Sequence, residues 1–244
     1  MIGHGSTAGR FATVVQISDM HLAAARDESP ASPDTTLQST VNVVAGLYPD
    51  LVLLTGDIAD DGSPQAYQRV AAIIESLRSP VLATPGNHDL AEGVRHQFGT
   101  ETQASVGAWR VITIDTAIPG ELHGQVDPDL LITQLGPDVG TPTLLAMHHP
   151  PITTSNHEWF QLHGGAELVA ALARRGDVRL VVSGHLHEAF HAVSGGVTYI
   201  GCSSSWYSIK HRAAEYVLDN GHVGALAIDL YDDGTFEWRR IARP

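Results

Sequence analysis

Hydrophobic positions along the chain gather into short runs, and five of these runs end on a polar cluster. Val14-Val15-Gln16-Ile17 leads to Asp19-Met20-His21, and Leu51-Val52-Leu53-Leu54 leads to Gly56-Asp57. Val81-Leu82-Ala83 leads to Gly86-Asn87-His88-Asp89. Leu144-Leu145-Ala146-Met147 leads to His148-His149, and Leu180-Val181-Val182 to Gly184-His185-Leu186-His187. The runs are short, partly β-branched and bounded by Gly, Pro or Asp, which predicts buried strands. Between them the spacing becomes helical. Residues 34–48 place Leu37, Val41, Val44 and Tyr48 on one face. Ser63-Pro64 is an N-cap with proline at the first helical position, opening a helix that buries Ala66, Val70, Ile73, Ile74 and Leu77. Further helices are predicted over 165–175, with Leu168, Val169 and Leu172 inward, and over 128–135. After His187 the pattern predicts strands at 197–200, 223–230 and 235–240. Turns are expected at Gly195-Gly196, Asp219-Asn220-Gly221 and Asp232-Asp233-Gly234. The chain opens as α/β, closes as mostly antiparallel β, and carries no internal repeat.

In open α/β sheets, functional groups collect beyond the carboxyl ends of the strands. The five clusters are therefore expected along one edge of one sheet. Leaving Asp89 aside, they offer two carboxylates, one amide and at least four imidazoles. That inventory suits two metal ions in one site and points to in-line displacement at phosphorus. Two ions about 3.5–4 Å apart can share a hydroxide and grip the phosphoryl oxygens. A carboxylate bridges two ions well, and Asp57, fixed by the glycine before it, is the candidate. Asp19 and the histidines supply most remaining ligands. Asn87 adds a neutral oxygen that keeps one ion electrophilic. His88, next to a ligand, is placed to protonate the departing alkoxide. Asp89 is placed to orient it. Any one cluster alone also reads as a turn, a surface pair or a core histidine. The conjunction of all five, in order, carries the metal reading. Iron, manganese and zinc all suit this donor set.

Composition narrows the partners. A length of 244 residues fits one domain over 1–244, with the Gly- and Ser-rich segment 1–10 expected to be flexible. A formal charge of −13 disfavours a nucleic acid polymer, because such binding rests on Lys and Arg neutralising phosphates. A small anion can still bind where metal ions dominate the local field. One cysteine, Cys202, excludes an intramolecular disulfide and fits the cytoplasm. No apolar stretch reaches membrane-spanning length, and no signal core opens the chain, so no membrane partner is expected. The chain is expected to act as a monomer or homodimer on a small-molecule phosphodiester.

The ordered motifs, over residues 12 to 240, resemble those of the calcineurin-like metallophosphoesterases. The words Thr55-Gly56-Asp57-Ile58-Ala59-Asp60 and His148-His149-Pro150-Pro151 are most similar to the class III cyclic nucleotide phosphodiesterase branch. So are Gly164-Gly165-Ala166-Glu167-Leu168 and Ser203-Ser204-Ser205-Trp206. The resemblance implies an α/β fold, a four-layer α/β/β/α sandwich with a dimetal site at the strand C-terminal ends. It implies Asp19, His21, Asp57 and His187 on one ion, and Asp57, Asn87, His148 and His185 on the other. It makes His88 the general acid. The implied activity is hydrolysis of 3′,5′-cyclic nucleotides, cAMP to 5′-AMP above all. The alternatives are a broad phosphodiesterase or phosphatase acting on glycerophosphodiesters or other small esters, and a non-catalytic scaffold, which the intact ligand set disfavours.

Substrate contacts are expected from Asn87 and His88, with His149 and His123 as further candidates. Trp159, Phe160, Trp206 and Tyr207 are candidates for a wall that stacks a base. His4, His96, His157, His163, His191, His211 and His222 read as surface or packing residues. The Ala-, Ser- and Pro-rich stretch between His21 and Leu37 reads as a loop without a cap, so an open site is expected.

Overall fold

The computed structural model describes residues 11–27, 29, 31–212, 215–219 and 222–243. The expected segment 1–10 and the turn at Asn220-Gly221 lie outside the described residues. The ligand-bearing strands belong to two stacked sheets, not to one as the strand-end rule alone suggested. The first sheet contains β1 (Phe11–Ile17), β2 (Leu51–Thr55), β3 (Val81–Thr84), β14 (Gly224–Tyr231) and β15 (Phe236–Ala242), in the order β15-β14-β1-β2-β3. The second contains β4 (Gln103–Val106), β5 (Trp109–Ile114), β7 (Thr143–Met147), β9 (Val178–Ser183), β10 (Phe190–Ser194) and β11 (Val197–Gly201), in the order β10-β11-β9-β7-β5-β4. In the first sheet β1, β2 and β3 are parallel and β14 and β15 are added antiparallel at one side, whereas in the second the central strands are parallel and both edge strands, β4 and β10, antiparallel.

The central strands are buried on both faces, which is why their sequences are continuous apolar runs rather than alternations. Leu51, Leu53 and Leu82 meet Val111, Leu144, Leu180 and Val182 between the sheets. Val52, Leu54, Val15 and Ile17 face the other way. There α1 (Pro33–Ala45), α2 (Pro64–Ile74) and α3 (Ala91–Phe98) cover the first sheet with Leu37, Val41, Val44, Val70 and Val94. On the far side, α4 (Pro128–Leu135) and α5 (Gly165–Leu172) cover the second sheet with Leu131, Leu135, Leu168 and Leu172. This is the expected four-layer sandwich. Each such aliphatic side chain contributes about 1.5–3 kcal/mol on burial. Ser32, Ser63 and Asp127 cap α1, α2 and α4, each followed by a proline whose missing N–H the first turn tolerates. No helix of the described residues is long and apolar enough to cross a membrane.

Some local expectations change. α1 stops at Ala45, and Tyr48 stands in a left-handed turn, 84% exposed rather than on the buried face. The chain has to reverse there to enter β2. α5 ends at Leu172, short of 175, and Arg175 pairs with Asp177 instead. Several elements were not anticipated: α3, the β4–β5 hairpin, the edge strand β10, the short parallel pair of β6 (Gly124–Gln125) and β8 (Leu162–His163), and the hairpin of β12 (Ser208–Arg212) and β13 (Glu215–Asp219).

Gln16 interrupts the apolar run of β1 for a reason. It is fully buried between the sheets, and its amide donates to Thr55 Oγ1 at 2.8 Å and to the Ser183 carbonyl at 3.0 Å. One side chain thus ties the two sheets together just below the ends of β2 and β9.

Candidate metal centre

The carboxyl ends of β1, β2 and β3 meet those of β7 and β9 along the seam between the sheets. Asp19, His21, Asp57, Asn87 and His88 follow strands of the first sheet, and His148, His185 and His187 follow strands of the second. The connecting loops stay in register beyond the strands: Asp19 N donates to the Gly56 carbonyl at 3.1 Å and His21 N to that of Asp57 at 2.9 Å. Asp19 reaches across the seam, accepting His185 N at 2.9 Å.

The backbone here is unusual. Among the described residues, seven non-glycine residues have a left-handed φ, and five of them are Asp19, His21, Asp57, His185 and His187. That region costs a non-glycine residue energy and persists only where the surroundings impose it. His185 and His187 therefore do not project as alternate strand residues. They flank Leu186, which is fully buried against Phe160 and Ile209. Gly56 is required by the same crowding. It has φ +86°, and a Cβ there would collide with the His148 ring. A Cβ on Gly86 would collide with the Asp57 carboxylate.

The histidine tautomers follow from their partners. His21 Nδ1 lies 3.0 Å from Asp60 Oδ1, His187 Nδ1 3.1 Å from the Tyr207 carbonyl, and His148 Nδ1 2.8 Å from the Thr55 carbonyl. His185 Nε2 lies 2.8 Å from the Trp159 carbonyl. A carbonyl has no hydrogen to give, and Asp60 is held below the ordinary carboxylate range chiefly by its hydrogen bond to His21. Each of these ring nitrogens is therefore the donor. In the neutral ring the other nitrogen is left bare, the arrangement typical of a metal-ligating imidazole.

Those bare nitrogens point at one another and at carboxylates. His21 Nε2 and His187 Nε2 are 3.1 Å apart, with Asp19 Oδ1 3.5 Å from His187 and Asp57 Oδ2 3.6 Å from His21. Donor atoms of Asp19, His21, Asp57 and His187 all lie within 4.8 Å of one another. On the other side, His148 Nε2 faces Asn87 Oδ1 at 3.1 Å and Asp57 Oδ2 at 3.4 Å, and the His185 ring lies 4.9 Å from that of His148. Asp57 belongs to both groups. Buried lone pairs that converge in this way repel unless a cation lies among them, so the residues fit two ions sharing Asp57.

The electrostatics agree. Burial alone would raise Asp57, but His148 and His21 hold it well below the ordinary carboxylate range. Burial pushes Asp19 up to about 6 and His185 down to about 3, and it holds His187 well below the ordinary imidazole value. Burial also opposes charge on His148, yet the Asp57 carboxylate outweighs it and lifts His148 to about 9. A cation beside these carboxylates, proton or metal, is what the site favours.

The remaining expected residues separate. His88 stands on the rim with its side chain 36% exposed, and its backbone N–H donates to Asp57 Oδ1 at 3.0 Å. Asp89 does not orient it. The Asp89 carboxylate accepts the backbone N–H groups of Ile58, Ala59 and Gly86, bracing the two loops. The partner of His88 is Asp60, whose carbonyl lies 3.1 Å and whose carboxylate 3.3 Å from Nδ1. Asp60 thus serves His21 and His88 together, and sequence reasoning missed it. Its only signal was a second carboxylate three residues beyond Asp57. Asp60→Asn is expected to lower turnover by about 10–100-fold, the usual cost of losing a partner behind a ligand, while near-complete metal loading is restored at high metal concentration. Rates measured against added manganese test this.

His149 is buried, with Nδ1 2.9 Å from Thr116 Oγ1 and Nε2 3.3 Å from the Leu122 carbonyl, so both nitrogens serve the protein rather than a ligand. His123 lies beyond the cleft, its ring 4.3 Å from that of His163. Trp159, Phe160 and Tyr207 do line the cleft, with Leu122, Ile209 and Leu218, in a space of about 440 Å³. Trp206 sits behind, its ring 6.0 Å from His21 and its indole bonded to the Ala31 carbonyl. Among the described residues of the loop after His21, none lines this cleft. The walls come instead from the β12–β13 hairpin and the segments around Leu122 and Trp159.

This fold, with acceptor-lined strand ends that meet at a shared aspartate, defines a class. The family model for calcineurin-like phosphoesterases matches residues 12–189, and the chain belongs to that family. It is 33% identical to the "Probable cyclic nucleotide phosphodiesterase" of Synechococcus sp., covering 93% of this chain and 90% of the relative. It is 31% identical to the 3′,5′-cyclic adenosine monophosphate phosphodiesterase of Pseudomonas aeruginosa, covering 97% and 93%. Among solved structures, a dimetal phosphatase from Danio rerio superposes with a TM-score of 0.65 over 88% of this chain and 98% of that one. At 13% identity the likeness is one of fold.

Proposed function

We propose that this chain is a dimetal phosphodiesterase that hydrolyses 3′,5′-cyclic nucleotides, cAMP to 5′-AMP. The carrying observation is the pair of acceptor clusters joined at Asp57 beneath an apolar cleft. Relatives that match nearly the whole chain and are named for this activity support it. Asp19, His21, Asp57 and His187 would hold one ion. Asp57, Asn87, His148 and His185 would hold the other. The ions are iron, manganese or zinc, iron with manganese foremost. When bound, they would make water nucleophilic at neutral pH and offset the charge of the phosphoryl oxygens.

The protein's own groups do the rest. Asp60 holds His88 Nδ1, which leaves Nε2 to give its proton to the 3′-oxygen as the bond from phosphorus to that oxygen breaks. Asp60 stabilises the charged imidazole before the transfer. Asn87 and His88 contact the phosphate. Trp159, Phe160 and Tyr207 stack on the base, and Leu122 and Leu218 exclude water from it. The acidic surface repels polymeric nucleic acid and leaves a small diester as the substrate. We place the enzyme in the cytoplasm, as a monomer or homodimer in which residues 1–244 act as one domain.

Steady-state rates on cAMP, cGMP, 2′,3′-cyclic nucleotides, a bis-aryl phosphate and glycerophosphodiesters, with defined metals, test this reading. Absence of cAMP turnover beside fast turnover of another diester would overturn it. Trp159→Ala separates base recognition from chemistry, because the carbonyl that orients His185 is kept. Loss of one aromatic contact is expected to raise KM for cAMP about 2- to 10-fold. kcat, and KM for a glycerophosphodiester, should stay near wild type.

A further inference from the structure

A second group of ligand-type side chains stands on the rim, outside the strand-end centre. His123, Glu158 and His163 each place a donor atom within 4.8 Å of the other two. The imidazoles of His123 and His163 face each other with centroids 4.3 Å apart, and His163 Nε2 lies 2.7 Å from Glu158 Oε1. Glu121 adds a carboxylate 3.9 Å from His123 Nδ1. Packing does not explain the convergence, since the side chains of Glu158 and His163 are 65% and 49% exposed.

The backbone beneath them is fixed. β6 and β8 pair in parallel, with Gly124 N donating to the Gln161 carbonyl at 3.0 Å and Val126 N to that of His163 at 2.9 Å. Two segments far apart in sequence are thus locked so that their donors meet. Two imidazoles and one carboxylate form the protein half of an open zinc-type site. A tetrahedral ion with bonds of about 2.0–2.1 Å wants its donors about 3.3–3.5 Å apart. Exposed side chains close the remaining distance by rotation. The set is too rich in nitrogen for calcium or magnesium, which take oxygen shells.

We propose that His123, Glu158 and His163 form a third, peripheral site for one borderline divalent ion, zinc or a close equivalent such as nickel. The site does not depend on the cyclic nucleotide reading. Its ion would clamp the segment carrying Leu122 to the segment carrying Trp159 and Phe160, which together make one wall of the cleft. The same two segments supply the Leu122 carbonyl that accepts from His149 and the Trp159 carbonyl that accepts from His185.

The test is a count of zinc per chain. Wild type, His163→Ala and the near-isosteric Glu158→Gln are equilibrated in parallel against one buffered zinc concentration and analysed for metal. One fewer zinc per chain in both variants is the expected result, with diester turnover in manganese unchanged for His163→Ala. Retention of the wild-type count by either variant overturns the site.

Discussion

Asp57→Asn is expected to strip the strand-end centre of metal and take turnover down with it. The substitution is close to isosteric. Asparagine tolerates the left-handed backbone of position 57, and its oxygen can still accept the His88 N–H that Asp57 accepts at 3.0 Å. The fold is therefore expected to survive, and the change reduces to one lost charge. That charge serves both clusters, since the same Oδ2 lies 3.6 Å from His21 Nε2 and 3.4 Å from His148 Nε2. Loss of a single electrostatic donor costs about 10²–10³-fold in a typical site. Loss of a group shared by two ions should exceed that. Elemental analysis with a diesterase assay settles the matter, and two ions still held per chain would show that Asp57 is not the bridge.

His88→Ala is expected to act differently. His88 lies on the rim, and its ring belongs to neither group of convergent acceptors, so metal content should stay unchanged. Turnover of cAMP, whose sugar alkoxide leaves poorly, should fall by about 10²–10⁴-fold. An aryl diester leaves without needing a proton, and for it the loss should shrink sharply. Comparable losses on both substrates would move His88 from proton donation to phosphate binding.

The strand ends were legible because each ligand cluster terminates a run that can only be a buried strand. The grouping of strands was not. Pairing is a long-range matter, and nothing in Leu51-Val52-Leu53-Leu54 says which face meets a helix and which meets a second sheet. Asp89 was misjudged because adjacency in sequence suggested a partner for His88. The turn instead aims its carboxylate at backbone N–H groups, and Asp60 arrives from the neighbouring loop. The β12–β13 hairpin escaped notice because its strands are short and carry polar residues. The left-handed residues were invisible, since an aspartate or histidine looks the same in any backbone region. His149 was only a further candidate for a substrate contact, and its two ring nitrogens face Thr116 Oγ1 and the Leu122 carbonyl.

The seam between the sheets has a consequence for how the protein lives with its metals. Four of the proposed ligand residues hang from one sheet and three from the other, so neither sheet alone carries a usable half of the site. Ions held there would act as rivets across the sandwich, beside the amide staple of Gln16. A ligand bound only by the folded chain adds its own binding free energy to folding, about 2.7 kcal/mol at a hundred times its Kd. Scarcity of metal would then do more than idle the enzyme. It would loosen the joint between its halves and expose the chain to proteolysis, so that the supply of ions sets the amount of enzyme as well as its activity.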